Sequence, residues 1–464
     1  MKIHGRQKAQ VKALFVAAST LLATSSVSAQ SLEQAVATAL DKSPEIRQTF
    51  NQLKSWDERV NQASASYYPT ISATASVGQE WTNSPSTRRD AETYGRDENR
   101  DLTRSDIGLT LNQLLFDGFA TPNNVDRNKH EAEAEKWKLY SLAEDKALEV
   151  SRVYLDYLKA KQVVELAQLN TKNHKQIYRS VKEKARSGFS SSVDLSQVSG
   201  RMAKANANLL VAENNYADAL ATYQKLTGKE PMNTRRPVPD AVMIPDSLQK
   251  VIELVRTKHP LLISANSDIK AATEARDIAR SHYFPRVELE VSANWNDNVS
   301  GVDGLKPTDV GGENENVQAL VRFKYDLFSG GANTSKEREA AYDMNIAKQT
   351  RHKAVEDAVE NATFAWNSRS FLNQQLPLLR EHVGYATEAR DAYREQFKLG
   401  QKSLLDILDS ENELFEARKA YVSADYEELA QQYRLFSVTG QLLAALRITT
   451  PTLWQNEARL AGVN

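Results

Sequence analysis

Tyr67-Tyr68-Pro69-Thr70-Ile71-Ser72-Ala73-Thr74-Ala75-Ser76-Val77 returns later in the chain as Tyr283-Phe284-Pro285-Arg286-Val287-Glu288-Leu289-Glu290-Val291-Ser292-Ala293. Each stretch opens on an aromatic-proline step and then alternates with period two, which is the pattern of a strand with one apolar and one polar face. In the first copy Ile71, Ala73, Ala75, Val77 and Trp81 share a face against Thr70, Ser72, Thr74, Ser76 and Glu80. In the second, Val287, Leu289, Val291, Ala293 and Trp295 oppose Arg286, Glu288, Glu290, Ser292 and Asn294. Each copy is followed by another alternating segment. One sets Ile107, Leu109, Leu111 and Leu115 against Asp106, Thr110 and Asn112; the other sets Val317, Ala319, Val321, Phe323, Tyr325 and Leu327 against Gln318, Arg322, Lys324 and Asp326.

Working outward, the recurrence covers most of the chain. Ser31-Leu32, Pro44, Tyr67 and Pro69 return at a spacing of 216 residues as Ser247-Leu248, Pro260, Tyr283 and Pro285. Leu115-Phe116-Asp117-Gly118 returns as Leu327-Phe328-Ser329-Gly330, and Gly188 to Gly228 returns as Gly400 to Gly440, both at a spacing of 212. Self-similarity of this length fixes the architecture as two copies of one discontinuous unit. The difference of four falls between Pro69 and Leu115, where a polar loop from Asn83 to Thr103 joins two strands; its counterpart runs from Asp297 to Asn316.

The spacing predicts the following order. Residues 1–29 form a signal peptide, with Lys2, Arg6, Lys8 and Lys12 ahead of the apolar run Ala13 to Ala23 and Val27-Ser28-Ala29 as the cleavage site. Repeat one occupies 30–246, with strands over about 70–82 and 105–116, a long helix over about 121–187 and a return helix over about 191–227. Repeat two occupies 247–445, with strands over about 286–296 and 317–328, a long helix over about 334–399 and a return helix over about 403–440; a tail, 446–464, follows. The long helices are rich in Ala, Glu, Lys, Gln and Leu, and at 1.5 Å per residue each reaches on the order of 100 Å. Leu195, Met202, Leu209, Tyr216 and Tyr223 repeat every seventh residue; Ile407, Leu414, Tyr421 and Leu435 lie on one heptad register beside Leu408, Phe415, Val422, Leu429 and Phe436 on the adjacent one. Such heptads predict coiled-coil packing with seams for more than one neighbour.

Composition narrows the function. The 464-residue chain has a net charge of −1, so no basic footprint points to nucleic acid, and it has no cysteine, which removes disulfides, thiolate metal sites and a lipid-bearing N-terminal cysteine. No later stretch reaches 18 uninterrupted apolar residues, so any membrane crossing falls to the strands, whose ~10–12 residues match a tilted transmembrane strand. Four strands cannot close a barrel, so association of copies is predicted. The seven histidines show no metal-ligand spacing, and no phosphate loop, dinucleotide fingerprint or catalytic constellation is present, so neither a catalytic site nor a cofactor is assigned. Glu356-Asp357 and Glu427-Glu428 read as solvated faces among helical lysines and arginines.

The helical hairpin tips hold the candidate functional residues. Gly188 and Gly400 are placed to cap the long helices in a left-handed conformation, and Ser191-x-x-Asp194 and Ser403-x-x-Asp406 are capping boxes that open the return helices. Asp409 is an acid that the cap does not require, since repeat one has Gln197 there. In a threefold assembly Asp406 and Asp409 would ring a constriction with carboxylates that attract cations, and Lys402 would meet an acid on a neighbouring hairpin.

The chain resembles the TolC family of outer-membrane proteins over essentially its whole mature length. The resemblance rests on the paired repeats, the two aromatic-proline steps, Leu115 to Gly118, Leu327 to Gly331, and the stretch Phe397-Lys398-Leu399-Gly400-Gln401-Lys402-Ser403-Leu404-Leu405-Asp406-Ile407-Leu408-Asp409-Ser410-Glu411-Asn412-Glu413-Leu414-Phe415. That last stretch is similar to the subgroup serving type I secretion of large adhesins or agglutination factors. The resemblance implies a homotrimer with a twelve-stranded outer-membrane barrel continuous with a twelve-helix periplasmic α-barrel. It also implies a periplasmic adaptor, an inner-membrane ATP-driven (ABC) transporter and a secreted polypeptide as partners, with outer-membrane lipid around the strands. It places Asp406 and Asp409 at the periplasmic entrance and Asp194 in the gate network, with Lys402 where the family often has arginine and Phe397 where it often has tyrosine. Lysine lacks the guanidinium fork and phenylalanine the hydroxyl. A multidrug efflux duct is a second expectation, and a soluble periplasmic coiled-coil adaptor a third of another class.

Overall fold

The computed structural model describes residues 31–188, 190–298, 312–450 and 454; the expected signal peptide, and most of the tail beyond 450, lie outside them. Repeat one runs α1 (Leu32–Lys42), α2 (Pro44–Ser64), β1 (Thr70–Thr82), α3 (Pro85–Tyr94), β2 (Arg100–Phe116), α4 (Ala120–Arg186) and α5 (Ser192–Thr227). Repeat two runs α6 (Leu248–Lys258), α7 (Pro260–Arg280), β3 (Arg286–Asp297), β4 (Glu313–Lys324), α8 (Ala332–Lys398) and α9 (Leu404–Val438), followed by the short α10 (Leu442–Ala445).

Local chemistry explains the breaks. Ser43-Pro44 and His259-Pro260 hold the pre-proline residue extended, ending one helix while the proline opens the next. Ser43 Oγ accepts from the Ile46 N–H at 3.4 Å, and His259 Nδ1 accepts from the Leu261 N–H at 3.3 Å. Burial holds the His259 imidazole below its ordinary pKa, which keeps that nitrogen free to accept.

The four strands form one antiparallel sheet in the order β1-β2-β3-β4. Its register lines up the sequence faces across both repeats. Ile71, Leu111, Val291 and Ala319 form one apolar row, while Ser72, Thr110, Ser292 and Gln318 form the adjoining polar one. At Gly108 a Cβ would lie 2.8 Å from both Thr74 Oγ1 and Asn294 Oδ1, so glycine lets the flanking polar side chains close over it. Apolar side chains stand in the open on the other face: Val77 is 76% exposed and Val317 74%. Among the described residues the outer edges of β1 and β4 have no strand partner.

Strand limits depart from the alternation seen in sequence. β4 ends at Lys324 although Tyr325 and Leu327 continue the pattern, because its ladder partner β3 begins at Arg286, which pairs Lys324. β2 starts at Arg100, upstream of Ser105, because β1 continues to Thr82 and pairs it there. The β1–β2 connection carries a helix, α3, opened by a capping box at Ser84 and Thr87 with Pro85 at its first position.

Strand passes into helix at Asp117-Gly118-Phe119 and Ser329-Gly330-Gly331. Asp117 Oδ2 accepts from the Thr121 N–H at 2.9 Å and its hydroxyl at 2.6 Å, and Ser329 Oγ accepts from the Asn333 N–H at 3.4 Å. Gly118 (φ 67°) and Gly330 (φ 64°) are both left-handed, yet only Gly118 is crowded: a Cβ there would come within 2.5 Å of the Ser281 carbonyl oxygen and 2.6 Å of Phe284 Cβ. Gly330→Ala is therefore expected to cost only the left-handed penalty, about 1–2 kcal/mol. Gly118→Ala adds a backbone clash and should cost roughly 2–5 kcal/mol. Thermal unfolding of the two variants in detergent checks the difference; equal melting temperatures would refute the packing argument.

The principal core forms a girdle at the middle of α4, where Leu139, Ala143, Ala147, Tyr154 and Leu155 meet α1, the end of α5, and Tyr433 and Phe436 of α9. The inter-repeat connection is pinned there. Tyr154 Oη donates to the Arg235 carbonyl at 2.7 Å and accepts from its N–H at 3.1 Å, and the Arg236 guanidinium pairs with Asp425. Glu144, 6% exposed, accepts from the Leu442 and Leu443 N–H groups and so caps α10; burial pushes its carboxyl up to about 7 against the pull of those bonds. Glu428, expected in solvent, is buried, with Arg369 Nε 3.9 Å away. α8 runs unbroken through Pro377.

Candidate functional site: the hairpin tips

α4 and α8 each end on a left-handed glycine, Gly188 (φ 78°) and Gly400 (φ 76°), and the chain reverses within a few residues into α5 and α9. Ser191 Oγ accepts from the Asp194 N–H at 3.0 Å, while Asp194 Oδ2 accepts from the Ser191 N–H and the Ser190 hydroxyl, each at 3.0 Å. Ser403 and Asp406 repeat the box: Ser403 Oγ accepts from the Asp406 N–H at 3.2 Å, and Asp406 Oδ2 accepts from the Ser403 N–H at 3.0 Å and its hydroxyl at 2.8 Å. These bonds hold both carboxyls below the usual range, Asp194 chiefly through the Ser191 backbone N–H and Asp406 chiefly through the Ser403 hydroxyl. The caps' stabilisation is therefore complete above the ordinary carboxylate pKa and is lost as pH falls through the depressed one.

Asp409 lies outside the box and is engaged by its own chain: Arg201 Nη2 of α5 donates to its Oδ1 at 2.6 Å. Two residues on, Glu411 is only 2% exposed although it stands in an acid-rich run. Its Oε1 accepts from Arg394 Nη2 at 2.6 Å and from Arg390 Nη1 at 3.5 Å, both on α8, and its Oε2 accepts from Asn173 Nδ2 of α4 at 2.9 Å. His174 is buried beside this group, and burial lowers its pKa while Glu411 opposes the shift. Phe397 packs against the cluster of Ile177, Val181, Ile407 and Leu408, with Lys184 Nζ 4.8 Å above its ring. Lys402 Nζ rests 4.8 Å over Tyr393, one helical turn before Phe397.

The structure thus gathers Asp194, Phe397, Lys402, Asp406 and Asp409 at one end of the molecule and commits each to a contact within the chain. Sequence reading missed Arg201, Glu411, Arg390 and Arg394. Their only advance signal was an acid, Glu411, falling on the apolar side of the α9 heptads, four residues before Phe415. Together they join the hairpin α4/α5 to the hairpin α8/α9 by charge and hydrogen bonds across a small apolar cluster.

A second unpartnered feature lies along α8. Phe364, Phe371, Leu378, Tyr385 and Leu399 fall on one seven-residue register and are 52–72% exposed. On α5, Val193, Leu210 and Val211 are 60–67% exposed. α4 packs against α5 and α9, and α9 packs against α8, so the two helices with bare apolar seams flank the four-helix wall.

A family model described as "Outer membrane efflux protein" matches residues 35–229 and 251–441. The chain is similar to the outer membrane efflux protein BepC of Brucella suis biovar 1, at 24% identity over 438 residues, covering 94% of this chain and 91% of that protein. It is also similar to the protein CyaE of Bordetella pertussis, at 24% identity, covering 89% of this chain and 84% of that protein. Among solved structures, a CusC structure described in terms of folding and transmembrane channel formation superposes with a TM-score of 0.75 at 17% identity, covering 88% of this chain and 91% of CusC. The outer-membrane channel OprN superposes with a TM-score of 0.74 at 18% identity, covering 88% of this chain and 90% of OprN.

Proposed function

The chain belongs to the outer membrane efflux protein family and is located in the outer membrane with a periplasmic extension, and from that premise we propose that it is the exit duct of a type I secretion system. In this reading an inner-membrane ABC transporter and a periplasmic adaptor deliver an unfolded polypeptide, a large adhesin, and the duct conducts it outward without chemistry of its own. The observation that carries the duct is the sheet. Its rows are apolar on one face and polar on the other, and among the described residues both edges lack a strand partner. Open edges with an apolar face suit a barrel closed by copies of the chain, and three copies make twelve strands. The bare seams on α8 and α5 suit the same assembly, joining helices of adjacent copies into a tube.

The polar face supplies a hydrated path: Arg322 makes a two-point pair with Glu290 at 2.7 and 2.8 Å, and Arg104 bridges Glu80 and Asp106. The tips then form the gate, with Asp409 beside Arg201 and Glu411 holding the hairpins together.

The stretch Phe397 to Phe415, with its similarity to the type I secretion subgroup, favours secretion; the names of BepC and CusC, an efflux protein and a cation efflux system protein, favour a small-molecule efflux duct as the second reading. Deleting the gene separates them. Loss of a large surface protein from the culture with unchanged tolerance of dyes and detergents is expected, whereas hypersensitivity with an unchanged secretome would establish efflux instead. For the gate, Asp406→Asn with Asp409→Asn is expected to weaken block of single-channel current by multivalent cations by about an order of magnitude while the trimer persists. Unchanged block would remove the carboxylate ring.

A further inference from the structure

His174 is a buried titratable group at the hairpin junction that the caps and ion pairs leave unused. It lies on the α4 face that packs against α5 and α9, and it is 3% exposed. Its Nδ1 is closed to solvent and has no hydrogen-bond partner among the described residues. A buried polar atom without a partner is destabilising, so its presence calls for a reason.

The other repeat shows that a hairpin of this kind does not need an imidazole. At the spacing of 212 the counterpart of His174 is Ala386, itself buried, in a small cluster with Leu414 and Ala417. The neighbours differ as well. Asn173 corresponds to the exposed Tyr385, and Glu411 corresponds to Ser199, whose hydroxyl donates to the Leu195 carbonyl of its own helix. The polar group of His174, Asn173 and Glu411 is therefore particular to the place where hairpin α4/α5 meets hairpin α8/α9.

The charges around the ring come from three other helices. α5 brings Arg201, which holds Asp409; α9 brings Glu411; and α8 brings Arg390 and Arg394 to that same carboxylate. Lys172 and Lys175, on α4 itself, are exposed. Burial keeps the imidazole below its ordinary pKa of 6.5, Glu411 pulls against that shift and Arg201 adds to it. A cavity of about 20 Å³, with room for one water, lies along the α4–α9 contact between Asn170, Asn173, Glu411 and Arg418. Asn170 is one helical turn before His174 and Asn173 adjoins it, so solvent has a polar approach to the ring.

We propose that His174 is an acid sensor: uptake of a second proton by its imidazole loosens the junction between the two hairpins and frees the tips to part. The proposal rests on the reading of the tips as the duct's gate. The closed junction holds a neutral ring, whereas parted hairpins would leave the ring in water, so the parted state binds the extra proton more tightly. Closure is at full strength above the ordinary imidazole pKa and weakens as pH falls below it. In the closed state an imidazolium would stand beside Arg201 and compete with Arg390 and Arg394 for Glu411. Asp194 and Asp406, held below the usual carboxylate range, keep their charge across this window, so the response does not come from the caps.

The test follows amide exchange in the full-length protein in detergent as pH is lowered from about 7.5 to about 5.5, a span centred on the ordinary imidazole range. Protection factors, corrected for the intrinsic pH dependence of exchange, should fall about fivefold over 172–181 and 404–411. His174→Gln should hold its protection level, as should His174→Ala, which carries the side chain that the other hairpin uses. His382→Gln, which removes the exposed pair with Glu413, should keep the wild-type step. Wild-type protection that does not change with pH, a step that survives in both His174 variants, or one that is lost in His382→Gln would overturn the proposal. An equal fall over 139–155 would overturn it too, because the response would then be a loosening of the whole molecule. Single-channel conductance reports the gate separately: flat conductance beside an exchange step confined to chains with His174 would end the gate reading and leave the sensor standing.

Discussion

Phe371→Asp with Leu378→Asp is expected to convert the proposed trimer to single chains in detergent. Both side chains stand bare on α8, at 69% and 65% exposure, at the centre of a register that runs from Phe364 to Leu399. In an assembled tube each would give up roughly 1.5–3 kcal/mol of burial, and each aspartate would carry a desolvation cost of several kcal/mol into the seam. The change acts at every copy-to-copy junction, so the loss multiplies around the ring. Light scattering in detergent reads the mass, and circular dichroism checks that the helices remain. A variant that keeps both its helicity and its assembled mass would show that the α8 seam is not the contact between copies.

Glu411→Ala is the second large effect. Removing the carboxylate leaves Arg394 and Arg390, 32% and 12% exposed, facing one another without their shared acceptor, and leaves Asn173 without its partner. Breaking a buried pair costs about 3–5 kcal/mol, and the partial exposure of Arg394 together with the remaining Asp391 contact of Arg390 reduces this to roughly 2–4 kcal/mol. The loss falls on the junction between the two hairpins, so its expected readouts are faster amide exchange over 172–181 and 404–411 and a larger single-channel conductance. Glu411→Gln, which keeps the shape and the bond from Asn173, should show a smaller change in the same direction. Exchange in the alanine variant matching wild type would mean that the apolar cluster around Phe397 and Leu408 holds the tips by itself.

How much of this was legible in advance depends on how far away the deciding partner lies. The alternation of Ile71 to Val77 and of Val287 to Ala293 is a property of neighbouring residues, and the sheet register sets those faces in common rows. The boxes at Ser191 and Ser403 close within three residues, so their bonds follow from spacing. Where a strand stops depends on a strand elsewhere: Tyr325 and Leu327 alternate as well as Val321 and Phe323, but no β3 residue remains to pair them. The Ser84-Pro85 opening of α3 follows the same local capping rule, inside a stretch whose composition is that of a polar loop.

The hairpin tips divide in the same way. Asp194 and Asp406 were recognisable as capping acids, whereas the run Asp409-Ser410-Glu411-Asn412-Glu413 gives no local reason for Glu411 to be buried while Asp409 and Glu413 stay exposed. That distinction is set by Arg390 and Arg394 arriving from α8 and Asn173 from α4, up to 238 residues away. Arg201 likewise looked like any lysine or arginine of an amphipathic helix until α5 came beside α9.

By itself, then, the amino-acid order determined the duplicated unit, the four two-faced strands, the heptad helices and the glycine and serine tips, because each depends on periodicity or on bonds spanning a few residues. The tertiary structure alone decided strand limits, which acids are buried, and which helix faces remain without partners, because burial and pairing depend on groups that the chain brings together from distant positions.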